Sequence, residues 1–248
     1  DFRQNRAEKS QASDRATHAA REAAARSALA DAQDRVRNED ALTLQLPDPG
    51  VGSGRRLAEL RGTDRTLVLA GPERVALVGP NGVGKTTLLR ALVAGQPSHL
   101  PADAAPLTDR IGYLPQRLDG LDDASTPLAE LTAKAPHVPD RELRNALASF
   151  GLPGALANRR IGALSGGERF RVALAALLLA EPAHQLILLD EPTNNLDLDT
   201  ARALVEALDA YRGGLLVVSH DRAFLRRLRL TRVLALDADG GLTDRDEP

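Results

Sequence analysis

The chain has 248 residues, a formal net charge of −2 and no cysteine. This length allows one large domain, or one domain with an extension, and the missing cysteines exclude disulfides and Cys-based metal sites. A charge so close to zero gives no electrostatic case for nucleic acid or anionic lipid, although a local patch can exist within a neutral total. No run of 18 or more apolar residues occurs, so no membrane-spanning helix is predicted.

The first segment, residues 5–38, is rich in Ala, Arg, Asp and Glu, contains neither Gly nor Pro, and predicts a long helix. Because its apolar stripe is thin, we expect either an exposed linker or the end of a helical hairpin. A short alternating strand is predicted over 42–46. Pro47 to Gly54 then form a loop that is marked by its prolines and glycines.

Strands and helices alternate through the rest of the chain. The predicted strands are 66–70, 74–78, 111–114, 186–189, 215–218 and 233–236, the last of which is expected to be the final strand. The predicted helices are 86–94, short segments within 126–160 with Asp140 as a cap for the helix at 141–150, then 167–180, 200–210 and 222–228. Continuous apolar strands between helices indicate an α/β fold with a parallel sheet that is covered on both faces.

A glycine-rich loop joins the strand at 74–78 to the helix at 86–94. Its sequence is Gly79-Pro80-Asn81-Gly82-Val83-Gly84-Lys85-Thr86, followed by Thr87. Glycines let backbone N–H groups approach phosphate oxygens, and the helix that follows adds the favourable end of its dipole. Lys85 is expected to supply charge to the β- and γ-phosphates and Thr86 to ligate Mg²⁺. An incidental turn is the less favoured alternative, because the loop has the strand-loop-helix context that this motif requires.

Two adjacent carboxylates, Asp190 and Glu191, end the apolar strand at 186–189. Asp190 is expected to orient metal-bound water and Glu191 to polarise the attacking water as a general base. The alternative is a solvated strand end, which is unusual for so apolar a strand. His220 follows the next strand, and its position favours a contact to the γ-phosphate.

A second anion site is predicted where Ser165, Gly166 and Gly167 open a helix, because a hydroxyl and bare N–H groups meet a positive helix end there. One γ-phosphate cannot occupy two such sites on a compact domain unless the chain folds back on itself. The simpler interpretation is that this site contacts a nucleotide held by another domain.

These motifs resemble those of the ATP-binding-cassette (ABC) superfamily over about residues 41–240. The resemblance implies an ABC-type P-loop fold over 41–248, with a helical subdomain at about 117–166 and an N-terminal helical linker at 1–40. It also implies a Mg²⁺-dependent ATPase whose cofactors are ATP and Mg²⁺. The implied roles are Walker A for Gly79 to Thr86, the Q-loop glutamine (catalytic and near the metal) for Gln116, the signature for Leu164 to Glu168, the Walker B aspartate for Asp190, the catalytic glutamate for Glu191, the D-loop for Asn195 to Asp197 and the switch histidine for His220.

One family feature is missing from the sequence. The family usually stacks adenine on an aromatic residue about 25 positions before Walker A. Residues 50–60 contain no aromatic side chain. We therefore expect adenine to be held more weakly, or by a different arrangement.

Three features resemble the ABC-F class, whose members carry two cassettes on one chain and act on ribosomes. They are Asn194 in the run from Glu191 to Asp197, the short segment between Gln116 and the signature, and the charged helix at 5–38. The resemblance implies a C-terminal cassette in a cytoplasmic protein, with ATP, a second cassette and the ribosome or tRNA as partners. The main alternative is a soluble subunit that docks on the membrane domains of a transporter. A structural or chromosome-maintenance ATPase is a minor third alternative, because long coiled-coil heptads are absent from the sequence.

Overall fold

The computed structural model describes residues 46–118, 120–194 and 196–245. The predicted helix at 5–38 and the linker segment at 1–40 lie outside these residues, as do Asn195 and positions 42–45 of the predicted strand at 42–46. Leu46, the last position of that strand, belongs to no regular element.

Nine strands and six α-helices occur in the described residues. The strands are β1 (Arg55–Arg61), β2 (Thr66–Gly71), β3 (Arg74–Val78), β4 (Asp103–Pro106), β5 (Ile111–Leu114), β6 (Leu186–Asp190), β7 (Gly214–Val218), β8 (Arg232–Leu236) and β9 (Leu242–Arg245). The helices are α1 (Lys85–Ala94), α2 (Pro127–Lys134), α3 (Asp140–Ser149), α4 (Gly166–Leu178), α5 (Leu198–Ala210) and α6 (Arg222–Arg227).

The strands form two sheets. The larger has the order β5-β6-β7-β3-β8-β9, and all its neighbours are parallel except the β8–β9 pair. The smaller sheet, β2-β1-β4, is antiparallel. The predicted α/β fold with a mostly parallel sheet is therefore confirmed. Because parallel strands end at the same edge, the ends of β3, β6 and β7 bring their following loops together.

Strand β6 shows how the sheet is buried on both faces. Its residues alternate between two apolar clusters: Leu186 and Leu188 belong to the cluster that contains α1 and the small sheet, whereas Ile187 and Leu189 belong to the cluster that contains α2 to α6. A strand with two covered faces has no polar side, which is why this segment is a continuous apolar run. Truncation of one such leucine to alanine would destabilise the fold by about 2–5 kcal/mol.

Three strands were not predicted from the sequence: β1, β4 and β9. All three pair antiparallel: β1 is the middle strand of the smaller sheet, and β4 and β9 are edge strands. The prediction that 233–236 is the final strand is wrong, because β9 follows it. Asp140 is also not the cap of α3; it is the first helical residue, and Pro139 occupies the cap position. The boundaries of a helical subdomain at about 117–166 stay a prediction.

Candidate active site

The glycine-rich loop connects β3, an inner strand of the larger sheet, to α1. Gly79, Gly82 and Gly84 have φ angles of 151°, 78° and 105°, a region that side chains disfavour. A Cβ atom added to Gly79 would lie 2.3 Å from the carbonyl oxygen of Leu236 on β8. The loop therefore approaches the neighbouring strand so closely that only glycine fits there.

Lys85, the first residue of α1, folds back over this loop. Its Nζ donates to the carbonyl oxygens of Gly79 and Pro80, both at 2.8 Å, and the residue is only 7% exposed. Burial lowers the pKa of Lys85, while the negative charges of Glu191 and Asp190 oppose that shift. A single buried ammonium is thus held at the loop by backbone dipoles.

Thr86 and Asp190 meet at the end of β6. The Thr86 hydroxyl donates to Asp190 Oδ1 at 3.0 Å, and Asp190 is 1% exposed. Two hard oxygen groups from separate motifs, 104 residues apart, are therefore in direct contact. Such a pair suits Mg²⁺, which commonly takes one or two protein oxygens and completes its shell with water and substrate phosphates.

Glu191, the next residue, adopts an uncommon backbone conformation with φ of 47°. Its N–H donates to the Val218 carbonyl of β7 at 2.8 Å, and its own carbonyl accepts from Asn194 N–H at 3.2 Å. The left-handed region is costly for a residue that is not glycine and is often found at functional sites. Here the backbone turns sharply as the strand ends, and the carboxylate points toward the following strand.

His220 contacts this carboxylate through two groups. Its backbone N–H donates to Glu191 Oε2 at 3.2 Å, and its Nε2 lies 3.3 Å from Oε1. The Glu191 side chain is 13% exposed and the His220 side chain 53% exposed. The arrangement fixes the nearly buried Glu191 carboxylate beside the solvent-facing His220 imidazole. A carboxylate held in this way is suited to abstracting a proton from water.

The ABC transporter family model matches residues 64–194, just over half of the chain and all of the segment from the glycine loop to Glu191. The chain belongs to the ABC family. The loop lies within the matched residues, and phosphate binding by its individual residues stays a prediction.

Curated relatives confirm the ABC-F type of this cassette. It is 42% identical to ABC transporter F family member 3 of Arabidopsis thaliana and 38% identical to ATP-binding cassette sub-family F member 3 of Homo sapiens, with 60% and 68% of this chain covered. It is 37% identical, over 71% of its length, to the tylosin resistance ATP-binding protein TlrC of Streptomyces fradiae. The cassette covers only 21%, 24% and 39% of these three relatives, respectively.

Solved structures bear out the fold. A bacterial Atm1-family ABC exporter with ATP bound superposes with a TM-score of 0.61 and 20% identity, over 86% of this chain and 43% of the exporter. Within the described residues, no helix of the cassette has the length and apolar character needed to cross a bilayer.

The signature residues open helix α4. Ser165 Oγ accepts from Glu168 N–H at 3.3 Å, and the Glu168 side chain accepts from Ser165 N–H at 2.8 Å, which forms a capping box. This explains why the helix starts at Gly166, one residue before the predicted start. Gly166 is exposed and leaves the backbone at this helix end accessible, as an anion site requires, whereas Gly167 is half-buried.

A cleft of about 270 Å³ connects three of the predicted motifs. Gln116, Gly166 and Glu191 all line it, together with Asn194. The structure thus brings the Q-loop glutamine and the signature glycine to the cleft that contains the predicted base. Their roles in hydrolysis stay predictions.

Tyr113 is a site residue that the sequence analysis missed. Its hydroxyl donates to Asp190 Oδ2 at 3.1 Å. Burial, followed by the negative charge of Asp190, raises the pKa of Tyr113. The signal was the position of Tyr113 on a strand beside β6, but the contact depends on the register between β5 and β6.

The donor set fits Mg²⁺ only in combination with a bound nucleotide. No group of three or more His, Asp or Glu side chains that could hold a metal ion occurs within 46–118, 120–194 and 196–245. The Thr86–Asp190 pair therefore supplies two oxygens, and phosphate oxygens and waters are needed for the rest. The metal role of Gln116 and the unusual arrangement of adenine stay predictions.

Proposed function

We propose that this chain binds Mg-ATP and hydrolyses ATP as one cassette of a two-cassette ABC-F protein that acts on the ribosome in the cytoplasm. The physiological role would be translation regulation or antibiotic resistance. The observation that carries the catalytic part is the Glu191 carboxylate, held by His220 immediately after the Thr86–Asp190 pair.

The residues divide the work of hydrolysis. The backbone N–H groups of Gly79 and of Asn81 to Thr86 would bind the phosphates, with Pro80, which has no N–H, shaping the same loop. Thr87 would lie beside the phosphates, and the Lys85 charge would face the β- and γ-phosphates. Thr86 and Asp190 would hold Mg²⁺, which when bound offsets phosphate charge.

Glu191 is the proposed general base. Its oxygen would accept the proton of the attacking water, and His220 would keep the carboxylate oriented and contact the γ-phosphate. Gln116, which lines the same cleft, would sense the metal and the γ-phosphate.

A second cassette completes the proposed site. Ser165, Gly166 and Gly167 would contact the γ-phosphate held by the partner cassette, so that ATP holds the two together until it is hydrolysed. The ribosomal role is supported by the F sub-family relatives and by Asn194, and resistance by the name of the tylosin resistance relative.

The test uses Glu191→Gln, which keeps the shape of the side chain but cannot accept a proton. We expect the complete protein with this change, and its counterpart in the other cassette, to bind ATP, stop hydrolysing it and sediment with ribosomes through sucrose. Adding Lys85→Ala in the same protein is the control, because weakened ATP binding should abolish co-sedimentation.

Recovery with detergent-solubilised membranes, and absence from the ribosomal fraction, would overturn the ribosomal role in favour of a transporter subunit. Unchanged hydrolysis by the Glu191→Gln protein would remove Glu191 from its proposed role.

A further inference from the structure

Tyr113 and Thr86 together occupy both oxygens of the Asp190 carboxylate. Thr86 Oγ1 donates to Oδ1 at 3.0 Å, and Tyr113 Oη donates to Oδ2 at 3.1 Å. Because Asp190 is 1% exposed, its charge has little access to water and depends on such donors. Hydrogen bonds to an ionised carboxylate are stronger than neutral ones and fix its rotation.

The register of the sheet explains why Tyr113 reaches this carboxylate. Tyr113 on β5 pairs with Leu188 on β6, and Asp190 lies two residues further along β6. Side chains two residues apart on a strand point to the same face, so Leu188, Asp190 and the Tyr113 ring share the face that α1 covers. The same face of the other neighbour, β7, presents Val218 opposite Asp190, which has no hydroxyl to offer.

Helix α1 contacts this network through Thr86, which donates to Asp190. Arg90, four residues later on the same side of the helix, brings a positive charge near Tyr113, and this charge opposes the rise in the Tyr113 pKa that burial and the Asp190 charge cause. The network therefore links α1, β5 and β6.

We propose that Tyr113 is a positioning residue that aligns Asp190 for the metal of the nucleotide complex. This role rests on the proposed function, since it concerns the Mg²⁺ that Thr86 and Asp190 would hold. The Tyr113 hydroxyl holds Oδ2, which leaves Oδ1 turned toward Thr86. Without that hydroxyl, the carboxylate is free to rotate and its metal-facing oxygen is less well aligned.

The test compares two hydroxyl deletions in the chain. Tyr113→Phe keeps the ring and its packing, whereas Tyr211→Phe removes the hydroxyl of the second tyrosine, which is buried and donates to the His184 carbonyl at 2.8 Å. A fluorescent ATP analogue is titrated in EDTA and then at increasing Mg²⁺. Thermal unfolding of each variant is measured in parallel.

We expect Tyr113→Phe to leave analogue affinity in EDTA unchanged and to raise the Mg²⁺ concentration for half-maximal enhancement of binding about tenfold. Tyr211→Phe should lower the unfolding temperature without changing the Mg²⁺ response. Mn²⁺ binding, measured by electron paramagnetic resonance, should weaken in Tyr113→Phe and stay unchanged in Tyr211→Phe.

An unchanged Mg²⁺ response in Tyr113→Phe would overturn the positioning role alone. An equal loss of affinity in EDTA and in Mg²⁺ would also overturn it, because that pattern indicates a structural role. If the unmodified chain binds the analogue with no Mg²⁺ dependence at all, the metal part of the proposed function fails and the Tyr113 role fails with it.

Discussion

Gly79 and Gly82 occupy the same loop but tolerate a side chain to different degrees. A Cβ atom at Gly79 would lie 2.3 Å from a backbone oxygen, that of Leu236, which cannot rotate away. A Cβ atom at Gly82 would meet nothing within 4 Å, although its φ of 78° is still unfavourable. A side chain at Gly82 would therefore cause backbone strain alone, whereas one at Gly79 would also cause a steric clash.

We predict that Gly82→Ala destabilises the fold by about 1–2 kcal/mol, the strain of a left-handed residue. Gly79→Ala should destabilise it more and also abolish nucleotide binding, because β3 and β8 must separate to admit the methyl group. Urea unfolding and calorimetric titration with Mg-ATP would measure both effects. Equal destabilisation by the two changes would contradict the steric argument.

At the residue scale, the local motif predicted most of the candidate site. The glycine loop, Asp190, Glu191 and His220 could be named because each follows or precedes a recognisable strand. The left-handed backbone of Glu191 could not be predicted, since it depends on hydrogen bonds to Val218 and Asn194 that form only in the fold.

At the scale of single elements, the capping box at the start of helix α4 makes the stability of that helix end depend on pH. Glu168 accepts a hydrogen bond from Ser165 N–H, and this bond lowers the pKa of the Glu168 carboxyl. A carboxyl with a lowered folded-state pKa stabilises the fold above its unfolded-state pKa, about 4.3 for glutamate, and that contribution is lost as the pH falls through the folded value.

We therefore predict that Glu168→Gln is less stable than the wild type at neutral pH and that the difference shrinks as the pH falls below about 4.3. Urea unfolding across that range would show it. Glu130→Gln is the matched control, because Glu130 also lies in the first turn of a helix, α2. In that helix the capping side chain, Thr126, accepts a hydrogen bond from the N–H of Ala129 and not from that of Glu130. A difference between Glu168→Gln and wild type that stays constant down to pH 3, about 1.3 units below that value, would refute the capping-box contribution.

Strands with a strong local apolar pattern were predicted well, whereas strands without that pattern were missed. Strand β6 is continuously apolar because both of its faces are covered, so its sequence alone identified it. Strand β4 contains Asp, two Ala and Pro, and β9 has three exposed residues, so neither shows the composition typical of strands. Their conformation comes from pairing with β1 and β8, which the local sequence does not encode.

At the scale of the whole molecule, the question is whether one chain contains a complete site. Gly166 at the start of α4 lines a cleft together with Glu191, and the glycine-rich loop precedes α1. If the signature of a second cassette contacts each γ-phosphate, two associated copies of this chain should form two sites. Each site would combine the glycine-rich loop of one copy with the signature of the other.

The last prediction uses two variants that each disable one half of such a site. Lys85→Ala removes the charge of the phosphate loop. Gly166→Asp places a negative charge in the signature, where an added Cβ meets nothing within 4 Å and where an acidic residue suits the first turn of a helix, so α4 should remain folded. Each variant alone should hydrolyse ATP far more slowly than wild type at high chain concentration. An equal mixture should recover about a quarter of the wild-type rate, because half of randomly formed dimers are mixed and each mixed dimer has one intact site.

Gly166→Asn, the neutral control, should retain more activity than Gly166→Asp. Failure of the mixture to recover, with wild-type turnover per chain independent of concentration, would show that a single chain hydrolyses ATP on its own.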